Sequence, residues 1–269
     1  MSAPPVVLAV AGSDPSGGAG IQADLNTATT LGTYGAAAIT SLTAQNSTGV
    51  SGIYPIPADF VARQYRSVVT DLDVRALKIG MLGTSDVVAA LAESMREYPV
   101  PHVVLDPVMV AASGDRLVPN DVISAIRDQL LPLATMVTPN LAETAVLLDE
   151  PTPETVDQMM RAARRLLGFG SQTALVKGGH LHRGDSIDVL ADETGAREFT
   201  AERVDTPNTH GTGCTLSSAI AAYLALGRDI PAAVEGAKEY IGAALRSAAG
   251  WRLGAGSGPV DHLWDAHPR

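Results

Sequence analysis

Six short runs of aliphatic residues recur along the chain almost without polar interruption, at 6–10, 36–41, 76–79, 103–105, 136–137 and 174–177. A strand that is apolar at consecutive rather than alternate positions has to be covered on both faces, which is the condition of a strand inside a parallel sheet. Between and after these runs lie segments with apolar residues at helical spacing, at 21–31, 59–69, 85–97, 120–130, 141–148, 154–167, 214–226 and 230–247. Strand then helix, repeated, is the pattern of βαβ units. The expected fold class is therefore α/β, with a central, mostly parallel sheet covered by helices on both sides. Runs 186–190 and 198–204 flank Asp192-Glu193-Thr194-Gly195 and suit an antiparallel hairpin.

No repeat, charge block or linker divides the 269 residues, so one domain over 1–269 is expected, with irregular tails at 1–5 and 250–269. The chain is 46% hydrophobic and 18% charged, enough apolar material for a sizeable core. A formal net charge of -10 would repel a phosphate backbone, which disfavours nucleic acid as a partner and means that an anionic ligand needs local donors. No run approaches the ~18 apolar residues of a membrane span. With one cysteine, no internal disulfide and no signal-like opening segment, the cytoplasm is the expected compartment and no membrane partner is expected.

In an open parallel sheet, ligands bind beyond the carboxyl ends of the strands, where loops enter helix N-termini. The loop after the first run, Gly12-Ser13-Asp14-Pro15-Ser16-Gly17-Gly18-Ala19-Gly20, is too glycine-rich for an ordinary connection and suggests a close approach to the backbone; the alternative is a slack linker. A second loop, Thr209-His210-Gly211-Thr212-Gly213-Cys214-Thr215, leads into a strongly helical run. Its glycines let backbone N–H groups converge at the positive end of a helix, a nest for an anion. It has neither the lysine of a Walker A loop nor the third glycine of a dinucleotide fingerprint. Cys214 occupies the start of that helix, where the dipole would stabilise a thiolate, although a lone cysteine is often only a small buried hydrophobe.

Other strand ends carry chemistry of their own. Gln45 lies in Leu42-Thr43-Ala44-Gln45-Asn46-Ser47-Thr48-Gly49, and its amide suits the edge of an amino-substituted heterocycle or, equally, a polar turn. Asp106 follows 103–105, and Asn140 with Glu143 follows Thr138-Pro139. Together they suit a hydrated Mg²⁺, while Asn140 and Glu143 also fit a helix cap with its reciprocal partner. Lys177 ends a buried run, a costly place for an ammonium without an anion beside it. Asp24, on the first helix, would at the least complement its dipole.

Five motifs resemble, in order, the hydroxymethylpyrimidine/phosphomethylpyrimidine kinases of the ribokinase-like fold: the segment 12–24, Asp106-Pro107-Val108-Met109-Val110, Thr138-Pro139-Asn140-Leu141-Ala142-Glu143, Val176-Lys177-Gly178-Gly179-His180, and His210-Gly211-Thr212-Gly213-Cys214-Thr215-Leu216-Ser217. The resemblance implies a three-layer α/β/α kinase using ATP and Mg²⁺. It would phosphorylate 4-amino-5-hydroxymethyl-2-methylpyrimidine and then the monophosphate to the diphosphate. It further implies that Gln45, Thr43, Asp24, Gly12 and Met81 meet the pyrimidine. Thr209, Gly211, Thr212, Gly213, Lys177, Asn140 and Asp106 would serve the phosphates, and Asp106 and Glu143 the metal. Cys214 would stand near the hydroxymethyl group as a late proton acceptor or an orienting group, and Lys238 would reach the phosphate region. A homodimer is also implied. Two alternatives remain: a pyridoxine or pyridoxal kinase on the same scaffold, and a non-catalytic pyrimidine-binding protein.

Overall fold

A computed structural model describes residues 3–109, 118–179, 181 and 184–265, so the motif residues Val110 and His180 lie outside the described residues. The aliphatic runs form one sheet of nine strands in the order β3-β2-β1-β4-β5-β6-β7-β8-β9. Its centre is β1 (Val6–Ser13), β2 (Tyr34–Asn46), β4 (Val74–Ile79), β5 (His102–Leu105), β6 (Met136–Val137) and β7 (Thr173–Lys177), all mutually parallel. β3 (Gly49–Pro55) on one edge, and the hairpin β8 (Ser186–Asp192) and β9 (Gly195–Ala201) on the other, run antiparallel to their neighbours.

Alternate residues of each central strand enter two separate apolar layers. Leu8, Leu77, Leu105 and Val176 face one, packed under α2 (Ala58–Val69), α3 (Ser85–Glu97), α4 (Asn120–Ala125), α5 (Leu141–Leu148) and α6 (Val156–Leu166). Val7, Ala76, Val104 and Leu175 face the other, under α1 (Gly20–Thr30), α7 (Thr212–Ala225) and α8 (Ile230–Ala248). Burial on both faces is why these strands read as continuous apolar runs. The two clusters and the sheet between them make the three layers expected.

Three elements differ from the sequence expectation. The segment 42–49, read as a polar loop, continues β2 as far as Asn46 and turns into β3, with the Asn46 carboxamide accepting from the Thr48 N–H at 2.9 Å. β3 is exposed throughout and contains two glycines and a terminal proline, so it has no buried face to leave a pattern. The helix expected over 120–130 is α-helical only to Ala125, then loosens into a π turn over Ile126–Leu130. The tail after Gly250 is irregular, yet it is packed: Val260, Asp261 and His262 are buried. Its Gly258 carbonyl accepts from the His210 N–H, and its Gly256 N–H donates to Ser47.

The strand order reverses between β1 and β4, and the carboxyl ends of β1, β4, β5, β6 and β7 all open on one side of the sheet. Both glycine loops lie on that side, one ahead of α1 and one ahead of α7.

Candidate active site

The first glycine loop is built, not slack. Asp14 is buried, and its carboxylate accepts from the Ser16 N–H at 2.9 Å, the Ser16 hydroxyl at 2.7 Å and the Ala19 N–H at 2.9 Å. Gln22 closes the loop from α1, accepting from the Asp14 N–H and donating to the Ser13 hydroxyl. The fourth partner of Asp14 comes from the other end of the chain: His210 Nε2 stands 2.7 Å from its Oδ2. Burial by itself would raise the Asp14 carboxyl, but the hydrogen bonds from His210 and Ser16 outweigh it and bring the carboxyl down to about 2. Sequence reading noted His210 only as a neighbour of Cys214; its true partner lies far away in sequence, where local spacing carries no signal.

Gly211 caps α7 in the left-handed region at φ 78°, and a side chain there would collide with the Gly18 carbonyl. The two glycine loops therefore touch, and only a residue without Cβ fits between them. The Thr212 N–H and hydroxyl both return to the Thr209 carbonyl, closing the turn. The N–H groups of Gly213 and Cys214, in the first turn of α7, have no intrahelical acceptor. A Cβ on Gly213 would lie 3.2 Å from Lys177 Nζ and 3.8 Å from Asp106 Oδ2, so the nest opens directly onto that ion pair.

Lys177 Nζ donates to Asp106 Oδ1 at 2.7 Å, and Asp106 Oδ2 accepts from Ser217 of α7 at 3.2 Å. Burial disfavours the Asp106 carboxylate, yet Lys177 and Lys78 hold it below its ordinary value. Beside it, Asn140 and Glu143 make a reciprocal cap on α5: the Asn140 carboxamide accepts from the Glu143 N–H at 2.9 Å, and Glu143 Oε2 accepts from the Asn140 N–H at 2.8 Å. Burial, with Asp106 adding repulsion and Lys177 only partly offsetting it, pushes the Glu143 carboxyl up to about 7. Among the described residues no cluster of three or more His, Cys, Asp or Glu forms a ready metal cage. Two neighbouring carboxyls, Asp106 and Glu143, are nonetheless a fit for a hydrated divalent ion that keeps most of its waters.

On the β2 side, Gly12 faces Met81 and Ser41: a Cβ on Gly12 would come within 2.8 Å of both Met81 Cε and Ser41 Oγ. The Ser41 hydroxyl is buried and has no partner among the described residues. Thr43 donates to the Ser13 carbonyl at 2.9 Å and lies 3.2 Å from Gln45 Oε1, while Gln45 Nε2 stands 3.5 Å from His210 Nε2. Gly12, Met81, Thr43 and Gln45 thus lie together next to the glycine loops.

Three of the candidate residues have partners that the sequence alone did not suggest. Asp24 is buried, bound by Lys78 Nζ at 2.7 and 3.0 Å and by the Ser218 hydroxyl at 2.7 Å. Lys78 went unremarked in the sequence, although a lysine between Leu77 and Ile79 is the same signal that marked Lys177. Lys238 is likewise committed, to Asp188 Oδ2 at 2.7 Å, and Asp188 in turn accepts from the Gly178 N–H at 2.9 Å. Lys238 therefore supports the loop after Lys177 from behind. Finally, the surroundings raise the Cys214 thiol rather than lower it. Burial pushes its thiol up and the carboxylates of Asp24 and Asp106 add to this, against Lys78 and the Gly20 N–H, which pull the other way.

Comparison with known proteins gives the same answer from a different direction. The chain is 49% identical over 261 residues to the hydroxymethylpyrimidine/phosphomethylpyrimidine kinase of Streptomyces coelicolor, covering 97% of this chain and 95% of that one. It is 48% identical to the enzyme of the same description from Salmonella typhimurium, covering 95% and 96%. Among solved structures, an ADP complex of Bacillus subtilis pyridoxal kinase superposes with a TM-score of 0.91 at 37% identity, covering 98% of this chain and 99% of that one. The ribokinase-like fold expected from the motifs is the fold of these neighbours. Residues 14–261 match the family described as phosphomethylpyrimidine kinase, and with glycine nest and Lys177–Asp106 pair together on one side of the sheet, the chain belongs to that family.

Proposed function

We propose that the protein transfers the terminal phosphoryl group of ATP to the hydroxymethyl oxygen of 4-amino-5-hydroxymethyl-2-methylpyrimidine, and then to the monophosphate so formed. The observation that carries this reading is the placement of Gly213: the first turn of α7 opens between Lys177 and Asp106 on one side and Cys214 on the other. Donors fixed before the reaction begins stabilise the charge on a migrating phosphoryl group without reorganising. Lys177, held by Asp106, supplies the cation nearest the nest, and the Gly213 and Cys214 N–H groups supply the nest itself. Gln45 and Thr43 orient the ring edge, with Met81 packed beside Gly12. In a loose transition state the alcohol proton leaves late, so a strong base is not required. A Cys214 thiol raised above its ordinary value fits an orienting role better than that of a resident base. Mg²⁺, held through waters by Asp106 and Glu143, would neutralise phosphate charge.

Incubation with ATP, Mg²⁺ and the pyrimidine alcohol, read by mass, tests the reading: mono- and diphosphate products are expected, and absence of both would overturn it. A second reading has a specific observation behind it, since solved neighbours at TM-scores of 0.91 and 0.89 are pyridoxal kinases. Comparing kcat/KM for pyridoxal and for the pyrimidine alcohol separates the two. A non-catalytic binding protein would have no use for the Lys177–Asp106 pair facing a glycine nest.

We also assign the protein to one kinase domain, working as a homodimer in the cytoplasm. The edge hairpin of β2 and β3 exposes Leu42, Val50, Ile53 and Tyr54, with Tyr54 66% exposed. An uncovered apolar sheet edge of this kind invites a second copy of the chain. Light scattering should give twice the chain mass, falling to the monomer in Ile53→Asp/Tyr54→Asp. No helix among the described residues is long and apolar enough to cross a membrane.

A further inference from the structure

His210 links the first glycine loop, β2 and the C-terminal tail. Its Nε2 stands 2.7 Å from Asp14 in the first glycine loop and 3.5 Å from the Gln45 amide on β2. Its backbone N–H donates to Gly258 of the C-terminal tail, and it directly precedes Gly211, the cap of α7. A side chain at Gly18 would run into the imidazole ring, so the first loop lies flat against it. Asp14 has four accepting positions and fills three within its own loop, leaving the fourth for His210. The contact is one of two side-chain hydrogen bonds between the two glycine loops among the described residues, the other being the Gly20 N–H on the Cys214 sulfur.

We propose that His210 is a positioning residue for phosphoryl transfer: through Asp14 it locks the first glycine loop in register with the nest at Gly211–Cys214. The inference rests on the kinase reading above. It requires only that a neutral or charged imidazole present Nε2–H to Asp14, and nothing in it depends on proton exchange with substrate. Loss of the clamp leaves both half-sites intact but free to shift against each other. That is a defect of alignment, felt in turnover more than in ATP binding.

The test compares His210→Ala, His210→Gln and Asp14→Asn with wild type. Misalignment by about 1 Å costs on the order of 10²-fold, so kcat of His210→Ala should fall by about that factor while KM for ATP changes less than about threefold. His210→Gln, whose amide N–H can reach the same oxygen, should recover most of the turnover. Combining Asp14→Asn with His210→Ala should cost no more than the worse single change, because either change already breaks the His210–Asp14 bond. Hydrogen exchange supplies a readout independent of turnover: amides of Ser16 and Ala19, which donate to Asp14, should exchange faster in His210→Ala and return to the wild-type rate in His210→Gln. Wild-type kcat in His210→Ala, or a glutamine variant as slow as the alanine one, overturns the clamp. Absence of product from the wild type would overturn the kinase reading, and the exchange rates would still decide the clamp.

Discussion

Lys78 and Asp24 form an ion pair with Nζ 2.7 Å from Oδ1 and both side chains out of solvent. It joins β4 to α1, and the Ser218 hydroxyl on the same carboxylate adds α7. Both helices that begin at glycine loops are thus pinned to one strand at the point where the sheet reverses. Burial disfavours the Lys78 ammonium, and Asp24 reverses the sign, holding it above the ordinary lysine value. Lys78→Met leaves a buried carboxylate without its cation and should cost about 3–5 kcal/mol in urea unfolding. A loss below about 1 kcal/mol would show that water reaches the pair.

Cys214 should behave as an ordinary or sluggish thiol. Its alkylation by iodoacetamide should be slow at pH 7 and accelerate only above the usual thiol value of about 8.5, because burial raises the group. If it orients the alcohol, Cys214→Ala slows turnover and Cys214→Asp does not restore it; restored turnover in the aspartate variant supports a base instead. Full activity in Cys214→Ala removes the residue from the mechanism.

Two buried groups titrate in opposite senses across the same pH range. His262, beside Thr215 in the packed tail, is kept neutral by burial down to about 4. From 6.5 to 4 the unfolded chain takes up a proton the fold refuses, so this stability is complete above pH 6.5 and is lost as pH falls. Glu143 is raised to about 7, so its fold binds a proton the unfolded chain has released; this contribution is complete below 4.5 and is lost as pH rises through 7. Each is worth about 3 kcal/mol, and they offset one another. Unfolding free energy should therefore be nearly flat between pH 5 and 6.5, values set by these two ranges. Glu143→Gln should make stability fall with acid, and His262→Leu should make it rise. Asp14, lowered to about 2, contributes stability that is present above its ordinary value of 3.8 and lost only as pH drops toward 2.

Lys177 and Lys238 should separate in kinetics. Lys177→Met removes the cation at the nest and should lower kcat by about 10²–10³-fold. Lys238→Met acts only through Asp188 and the Gly178 N–H, so it should destabilise the fold while costing less than about tenfold in kcat. Equal losses would place Lys238 on the phosphate.

What the amino-acid order determined by itself was everything governed by short range. Continuous apolar runs named the central strands, helical spacing located most of the helices, and the glycine clusters and strand-end residues 106, 140, 143 and 177 marked one side of the sheet. The edge strand β3 escaped because, exposed and glycine-rich, it buries no face. What tertiary structure alone decided were the partners of charged side chains: Asp24 with Lys78, Lys238 with Asp188, and Asp14 with His210, 196 positions apart. Periodicity reports which face of an element is buried, whereas an ion pair depends on how crossovers set distant strands and helices in register. The same holds for Cys214, whose helix N-terminus argued for a thiolate until burial and two carboxylates, brought in from α1 and the end of β5, reversed the sign.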